Sequence, residues 1–250
     1  MKVTKYNASG NDFIIFHSHK KEDRSALAKK LCDRHSGVGA DGMVVLVPNE
    51  DYDFEWEFYN SDGSTASMCG NASRAVAHYA CEKGISLDNR AVFLTGAGAI
   101  SGSVNGNYVV TDMVRPKILD SNILEYERIW WLIDTGVPHL VTFVEDISMF
   151  DIEAARLLRY RYNANVNVAL VDINDNILEV RTYERGVENE TLACGTGMVA
   201  CFVRANSEKL VGDNVKVYPR SKEEIYISLD DGIYKFGGQI SKVFEAEVFI

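Results

Sequence analysis

The sequence lacks any long apolar run, since no stretch approaches the roughly 18 consecutive apolar residues that a membrane-spanning helix needs. Its first residues, Met1-Lys2-Val3-Thr4-Lys5, lead into a polar turn without the apolar core and small-residue cleavage site of a signal peptide. These two absences predict a cytoplasmic protein with no membrane partner.

Positive charge is also scarce. The chain has 26 Lys and Arg against 36 Asp and Glu, a formal net charge of −10. Because proteins bind phosphate backbones through clustered Lys and Arg, this balance excludes nucleic acid as an expected partner. A substrate must then be recognised by a local site.

Cysteine is present in a pattern that excludes two common uses. The five cysteines include no Cys-x-x-Cys pair and no paired Cys/His spacing. A disulfide framework and a zinc site are therefore not expected, and the protein is predicted to hold free thiols and no metal.

What the chain does have is the composition of a globular protein, with 250 residues, 46% apolar and 25% charged. That length suits one large domain or two domains of ordinary size.

An internal repeat favours two domains. Met68-Cys69-Gly70 and Ala193-Cys194-Gly195 are similar tripeptides, and their cysteines lie 125 residues apart, half of the chain. With that offset held and no gap, many later residues are identical, for example the pairs Ala75/Ala200, Asp88/Asp213, Val92/Val217, Ile100/Ile225 and Ser103/Ser228. We interpret this register as a duplication.

The duplication predicts an N-terminal lobe over residues 1–116 and a C-terminal lobe over residues 117–240, with residues 115–127 as the crossover. Residues 241–250 are left over and show partial alternation, which predicts an added strand that completes the first lobe.

Local patterns indicate an α+β chain. Apolar spacing predicts helices over residues 25–34, 72–83 and 152–160, and a further helix that begins at Cys194-Gly195-Thr196. Residues 51–58 alternate strictly between aromatic and acidic side chains, which predicts a strand whose acidic face is solvated. Cys69 and Cys194 are both predicted to lie at a helix N-terminus.

A helix N-terminus is a suitable position for a reactive cysteine. A helix N-terminus stabilises a thiolate, and its N–H groups also hold a carboxylate. Two such cysteines suggest an acid and a base that act on opposite faces of one carbon, as stereoinversion of an amino acid requires. The alternative for any free cysteine is a buried structural thiol, and Cys32, Cys81 and Cys201 are assigned to it.

At this point the motifs match a known family, since the chain resembles diaminopimelate epimerases. The motifs that carry the resemblance are Ser9-Gly10-Asn11-Asp12-Phe13, Arg34-His35-Ser36-Gly37-Val38-Gly39-Ala40-Asp41-Gly42, Tyr59-Asn60-Ser61-Asp62-Gly63-Ser64, Cys69-Gly70-Asn71, Pro138-His139, Asn165-Val166-Asn167, Tyr183-Glu184-Arg185-Gly186 and Cys194-Gly195-Thr196.

The resemblance implies a cofactor-independent enzyme that interconverts LL- and meso-diaminopimelate. Its fold would be two similar, pseudo-symmetric lobes, each a curled and mostly antiparallel sheet around a central helix, with the active site in the cleft. Cys69 and Cys194 would be the acid and base, with His139 near Cys69 and Glu184 near Cys194. The residues implied to bind substrate are Gly70, Asn71, Gly195 and Thr196 at the reacting carboxylate, and Asn11, Asn60, Asn165, Glu184 and Arg185 elsewhere.

Several alternatives stay open. His139 could be a core histidine, and Glu184 and Arg185 an ordinary ion pair at a strand end. For the whole chain, one alternative is an enzyme similar to proline or hydroxyproline racemases. Another is a binding protein that senses redox state through a reversible Cys69–Cys194 disulfide. The oligomeric state is also open, with a homodimer among the options.

Overall fold

The computed structural model describes residues 1–249 and divides the chain into two compact units. The first comprises Met1–Asp112 together with the C-terminal stretch that begins at Gly238, and the second comprises Met113–Gly237. The stretch from Gly238 belongs to the first unit because its strand pairs antiparallel with the N-terminal strand. Ile250, the last residue of the predicted added strand, lies outside the described residues.

The first unit has two helices and eight strands among the residues described. The helices are α1 Ser25–Cys32 and α2 Gly70–Glu82; the strands are β1 Lys2–Ala8, β2 Asn11–His17, β3 Gly42–Val47, β4 Phe54–Asn60, β5 Arg90–Thr95, β6 Gly98–Asn105, β7 Tyr108–Asp112 and β17 Ser241–Glu247. The pairs β2–β3 and β4–β5 are parallel, whereas β1–β17, β1–β2, β3–β4, β5–β6 and β6–β7 are antiparallel.

The second unit repeats the order of two strands, a helix, two strands, a helix and three strands, with one further strand at its start and a short one before its second long helix. Its helices are α3 Ile152–Tyr162 and α4 Gly195–Ser207, with a short 3-10 helix at Ile147–Met149. Its strands are β8 Lys117–Glu125, β9 Arg128–Asp134, β10 Pro138–Phe143, β11 Asn165–Asp172, β12 Ile177–Glu184, β13 Asn189–Glu190, β14 Asn214–Tyr218 and β15 Ile225–Asp230, and β16 Ile233–Gln239 ends past the unit boundary. The shared order supports the duplication, which stays a proposal.

Each unit is built around one buried helix. Strands β1, β2, β5, β6 and β7 contact α2, and strands β9, β10, β11 and β12 contact α4. In α4 every residue from Gly195 to Ala205 is buried, so the helix forms part of the core on all its faces. The predicted α+β fold, mostly antiparallel strands around a central helix, is confirmed. Within residues 1–249, no helix combines the length and apolar composition needed to cross a membrane.

One prediction was wrong in the segment that leads into the second unit. Residues 115–127 were expected to be a plain crossover, but β8 occupies Lys117–Glu125 and pairs antiparallel with β9. The Asp120-Ser121-Asn122 triplet resembles a turn in sequence. The strand accommodates it because the pairing register shifts on both sides of Asp120, as at a β-bulge.

The predicted strand at residues 51–58 needs two corrections. It begins at Phe54, because the Asn49 side-chain oxygen accepts hydrogen bonds from the N–H groups of Asp51 and Tyr52 and holds a turn there. Its acidic face is also not merely solvated. Glu57 forms an ion pair with Arg24 in which the two side chains are 8% and 5% exposed.

This buried pair gives a testable prediction for stability. Replacing Glu57 with Ala removes the more buried of the two carboxylates that pair with Arg24 and leaves Glu22, which is 47% exposed and lies 3.1 Å from the guanidinium, so we expect a loss of about 1.5–3 kcal/mol in the free energy of unfolding. The matched control is Glu55→Ala on the same strand, because Glu55 pairs with the well-exposed Lys21 and should cost less than about 1 kcal/mol. Urea denaturation measures both, and equal losses would contradict the prediction.

Candidate functional site

In the first unit, Cys69 occupies the position immediately before α2. Its backbone is extended, with φ −146° and ψ 111°, and the helix begins at Gly70. The first helical turn closes on it, because the N–H of Ser73 donates to the Cys69 carbonyl oxygen at 3.0 Å. The predicted placement of this cysteine at a helix N-terminus is confirmed.

In the second unit, Cys194 has the same position before α4. Its φ is −121° and its ψ is 107°, and the N–H of Met198 donates to its carbonyl oxygen at 3.0 Å. The N–H groups of a first helical turn have no acceptor inside the helix and carry the positive end of its dipole. Each cysteine therefore lies where a bound carboxylate would be stabilised.

The thiol of Cys69 faces an amide oxygen. Its Sγ lies 3.8 Å from Oδ1 of Asn11, and the Nδ2 of Asn71 donates to the same oxygen at 3.5 Å. The Nδ2 of Asn11 donates to the Asp41 carboxylate at 2.9 Å, which fixes the orientation of the Asn11 amide. Three predicted residues of the first unit, Asn11, Cys69 and Asn71, thus lie together.

Arg74, which the sequence analysis did not identify, contacts Asn71 of this cluster. It is fully buried, and its Nη2 donates to Asn71 Oδ1 at 2.9 Å and to Ser9 Oγ at 3.0 Å. The bond to Asn71 turns the Nδ2 of that amide toward Asn11. The available signal was spacing, since Asn71 and Arg74 are one helical turn apart.

A charged cluster supports the loop that carries Asn11. Asp12 pairs with Lys5 at 2.7 Å and with Arg34 at 2.8 Å, and Arg34 also pairs with Asp41 at 2.8 Å. Burial alone would raise the pKa of Asp12, but hydrogen bonds from Arg34 and Lys5 lower that pKa to about 2. The carboxylate is therefore charged at any physiological pH, and the cluster keeps the Asn11 loop in place.

In the second unit, Cys194 is 5% exposed and its Sγ lies 3.5 Å from the hydroxyl oxygen of Thr196. That oxygen is 2.9 Å from Nε2 of His139. The expected partnership of His139 with Cys69 stays a prediction. Inside the second unit, His139 is joined to Cys194 through Thr196.

His139 is fully buried on β10. Its Nδ1 lies 2.8 Å from Oδ1 of Asn167, and its Nε2 lies 3.4 Å from Nδ2 of Asn165. Burial lowers the pKa of His139 to about 4, and the charge of Arg185 lowers it further, although the bond to Asn167 and the charge of Asp134 oppose this. His139 is therefore neutral at physiological pH.

Asn167 is a second residue that sequence reasoning missed. It is fully buried, and its Nδ2 donates to Thr182 Oγ1 at 2.6 Å while its Oδ1 faces His139. The sequence did contain a signal for this role. Asn165 and Asn167 are two residues apart on β11, so their side chains lie on the same face of the strand. A Cβ on Gly197 would lie 2.3 Å from the Asn167 Nδ2, so any other residue there would displace this amide.

The remaining predicted residues lie at strand ends. Glu184 ends β12, and the N–H of Arg185 donates to Asn165 Oδ1 at 2.7 Å. The Arg185 guanidinium donates to the Asn163 carbonyl oxygen at 3.1 Å. In the first unit, Asn60 ends β4 and donates to Ser64 Oγ at 2.9 Å.

A family model described as diaminopimelate epimerase matches residues 3–119 and 131–235, nearly the whole chain. The chain belongs to the diaminopimelate epimerase family. It is 55% identical over 245 residues to the diaminopimelate epimerase of a Nitratiruptor species, with 98% of this chain and 97% of that protein covered. It is 50% identical to the Campylobacter lari enzyme of the same name, over 99% of this chain and 98% of the other.

Solved structures with low sequence identity share the fold. A probable proline racemase from Agrobacterium radiobacter superposes with a TM-score of 0.80 at 15% identity, covering 100% of this chain and 93% of the other. A hydroxyproline epimerase from Agrobacterium vitis gives a TM-score of 0.78 at 14% identity, with 98% and 91% covered. These likenesses confirm the predicted fold class.

The lowered pKa of His139 gives a pH prediction. An unfolded histidine binds its proton near pH 6.5, whereas the folded His139 does so near pH 4. Between these values the unfolded state holds more protons, so stability falls as the pH falls. We expect the free energy of unfolding to drop by about 2 kcal/mol from pH 7 to pH 5 through this residue.

Urea denaturation at the two pH values measures the loss. His139→Gln should remove it, and His35→Gln, which replaces an exposed histidine, should retain it. An unchanged loss in the His139 variant would contradict the prediction.

Proposed function

We propose that this chain is a diaminopimelate epimerase, an isomerase that interconverts LL- and meso-diaminopimelate by a two-thiol mechanism without a cofactor. One observation carries the proposal: a chain matched over nearly its full length by this family has two cysteines, each immediately before a buried helix. Stereoinversion needs one group that removes a proton and another that delivers one.

The proposed reaction begins with the α-carboxylate at the helix N-termini. The N–H groups of Gly70, Asn71, Gly195 and Thr196 would donate to its oxygens, and their partial positive charge would stabilise the carbanionic transition state. No side-chain cation is needed for this step.

Proton transfer then follows at the α-carbon. One thiolate takes the α-proton, so that the C–H bond breaks and an S–H bond forms, and the electron pair stays on the substrate. The other thiol delivers its proton to the opposite face, so its S–H bond breaks and it becomes the thiolate. The reverse reaction exchanges the roles of Cys69 and Cys194, which makes the reaction reversible with no net consumption of protons.

Diaminopimelate has a second amino-acid centre, which the proposal assigns to polar residues away from the thiols. Arg185 suits the distal carboxylate because its planar guanidinium can donate two parallel hydrogen bonds. Asn11, Asn60 and Asn165 supply amides that can both donate and accept. Glu184 is proposed to polarise Cys194 and His139 to polarise Cys69, as the resemblance to the family implies.

The setting of the enzyme is also part of the proposal. All five cysteines are free thiols, which fits a protein of the reducing cytoplasm.

A homodimer is the oligomeric state to be tested, and analytical ultracentrifugation measures it directly.

The decisive experiment incubates the purified protein with LL-diaminopimelate in deuterated water and follows the α-hydrogen by NMR. We expect deuterium incorporation together with meso product. Cys69→Ala and Cys194→Ala should each lower the rate by about 10²-fold or more, since each removes an acid or base. The matched control is Cys81→Ala, which lies further along α2, the helix that Cys69 precedes, and should keep the wild-type rate.

Two outcomes would overturn the proposal. Turnover of proline without turnover of diaminopimelate would favour the racemase alternative. Activity that requires oxidised protein would favour the redox-sensing alternative, because the epimerase needs both cysteines in the reduced state.

A further inference from the structure

The loop that carries Arg185 is held to helix α3 at two points. At the first, the Arg185 guanidinium donates to the carbonyl oxygen of Asn163, the residue at the C-terminal end of α3, at 3.1 Å. At the second, Arg159 in the last turn of α3 forms an ion pair with Glu188, and the Arg159 Nη2 lies 2.6 Å from the Glu188 Oε1. Neither Arg159 nor Glu188 has a task in the reaction proposed above.

The Glu188 carboxylate also holds the loop from within. The oxygen that accepts from Arg159 also accepts from the N–H of Gly186 at 3.1 Å, so one atom joins the helix to the residue directly after Arg185. Burial alone would raise the pKa of Glu188, but the hydrogen bonds from Gly186 and Arg159 lower that pKa. The group is therefore charged at physiological pH, and its bond to Arg159 is charge-assisted.

The backbone of Glu188 adopts a conformation that its contacts must maintain. Its φ is 55°, in the left-handed region that a residue with a Cβ enters only at a cost in free energy. Its N–H donates to the Glu184 carbonyl oxygen at 2.8 Å, and its own carbonyl oxygen accepts from the hydroxyl of the buried Tyr183 at 2.8 Å. Strained positions of this kind persist where the surrounding contacts over-determine them, so the path of the chain after Arg185 is fixed here.

We propose that Arg159 and Glu188 are positioning residues that hold the Arg185 guanidinium in place for the distal carboxylate of the substrate. This inference rests on the proposed function, which assigns that carboxylate to Arg185. Because Arg185 is an exposed and long side chain, fixing its loop in advance reduces the conformational entropy lost on binding. A guanidinium has five N–H donors, so the bond to Asn163 orients the group and still leaves donors for a carboxylate.

Three variants separate this role from a general effect on the helix. Arg159→Met removes the guanidinium and keeps an unbranched apolar stem. Glu188→Gln keeps the shape and an oxygen for Gly186 but removes the charge, and it provides the test if Arg159→Met folds poorly. The matched control is Arg156→Met on the same helix, because Arg156 lies 3.9 Å from Glu153 and the two side chains are 56% and 80% exposed.

Hydrogen exchange followed by mass spectrometry, without substrate, tests the hold on the loop. We expect residues 184–190 to exchange about ten-fold faster in Arg159→Met, because a hydrogen bond to a charged group no longer opposes local opening. Glu188→Gln should accelerate exchange by less, and Arg156→Met should match the wild type. An unchanged rate in both test variants, or equal acceleration in the control, would overturn the inference.

Steady-state kinetics with diaminopimelate test the consequence for Arg185. We expect Arg159→Met to raise KM about ten-fold and to leave kcat within about two-fold of the wild type, because a contact remote from the reacting carbon binds the ground and transition states alike. Glu188→Gln should raise KM in the same direction. A merely structural role would lower kcat through lost folded protein and keep KM, and that result would overturn the inference.

The two experiments distinguish failure of this inference from failure of the proposed function. A protein whose loop exchanges as expected, but which does not turn over diaminopimelate, would refute the function. A protein that turns over diaminopimelate with the wild-type KM in both test variants would refute the positioning role alone.

Discussion

The constraint on which this molecule depends is the start of a buried helix directly after a cysteine. A buried helix that packs against a sheet leaves its first N–H groups without acceptors in the helix, and burial limits the access of water to these groups. Both units place that unsatisfied end beside a thiol, at Cys69 and at Cys194. The remaining polar side chains of each site are arranged around these two helix ends.

The two units have different side chains at the equivalent position after the cysteine. Two residues after each cysteine, the chain has Asn71 in one unit and Thr196 in the other. Asn71 is held by a permanently charged guanidinium, whereas Thr196 is held by a neutral imidazole. The polar network beside Cys69 therefore contains a fixed positive charge, whereas the network beside Cys194 contains a neutral ring. Two units with similar architecture thus have chemically different surroundings at their helix N-termini.

The sequence was sufficient for features that local pattern determines. Both helix starts follow from apolar spacing after Cys-Gly, and the α+β class follows from the order of elements. The strand at Lys117–Glu125 could not be predicted, because Asp120-Ser121-Asn122 carries turn propensity that pairing with a neighbouring strand overrides. The buried Glu57 was missed for a related reason, since alternation identifies two faces and does not reveal which residues of other elements cover them. In the site, the roles of Asn167 and Arg74 depend on partners brought close by tertiary packing, and spacing alone cannot assign them.

Arg74 has one further consequence. A charge with no contact with solvent attracts no counter-ion atmosphere, so dissolved salt screens its field far less than that of a surface lysine. The overall acidity of the chain, at net charge −10, would repel an anionic ligand over long distances in dilute buffer. Near the start of α2, the buried Arg74 adds a positive charge from within the core. Dissolved salt should therefore change the rate at which an anionic ligand approaches the protein more than it changes the contribution of this buried charge near the helix start.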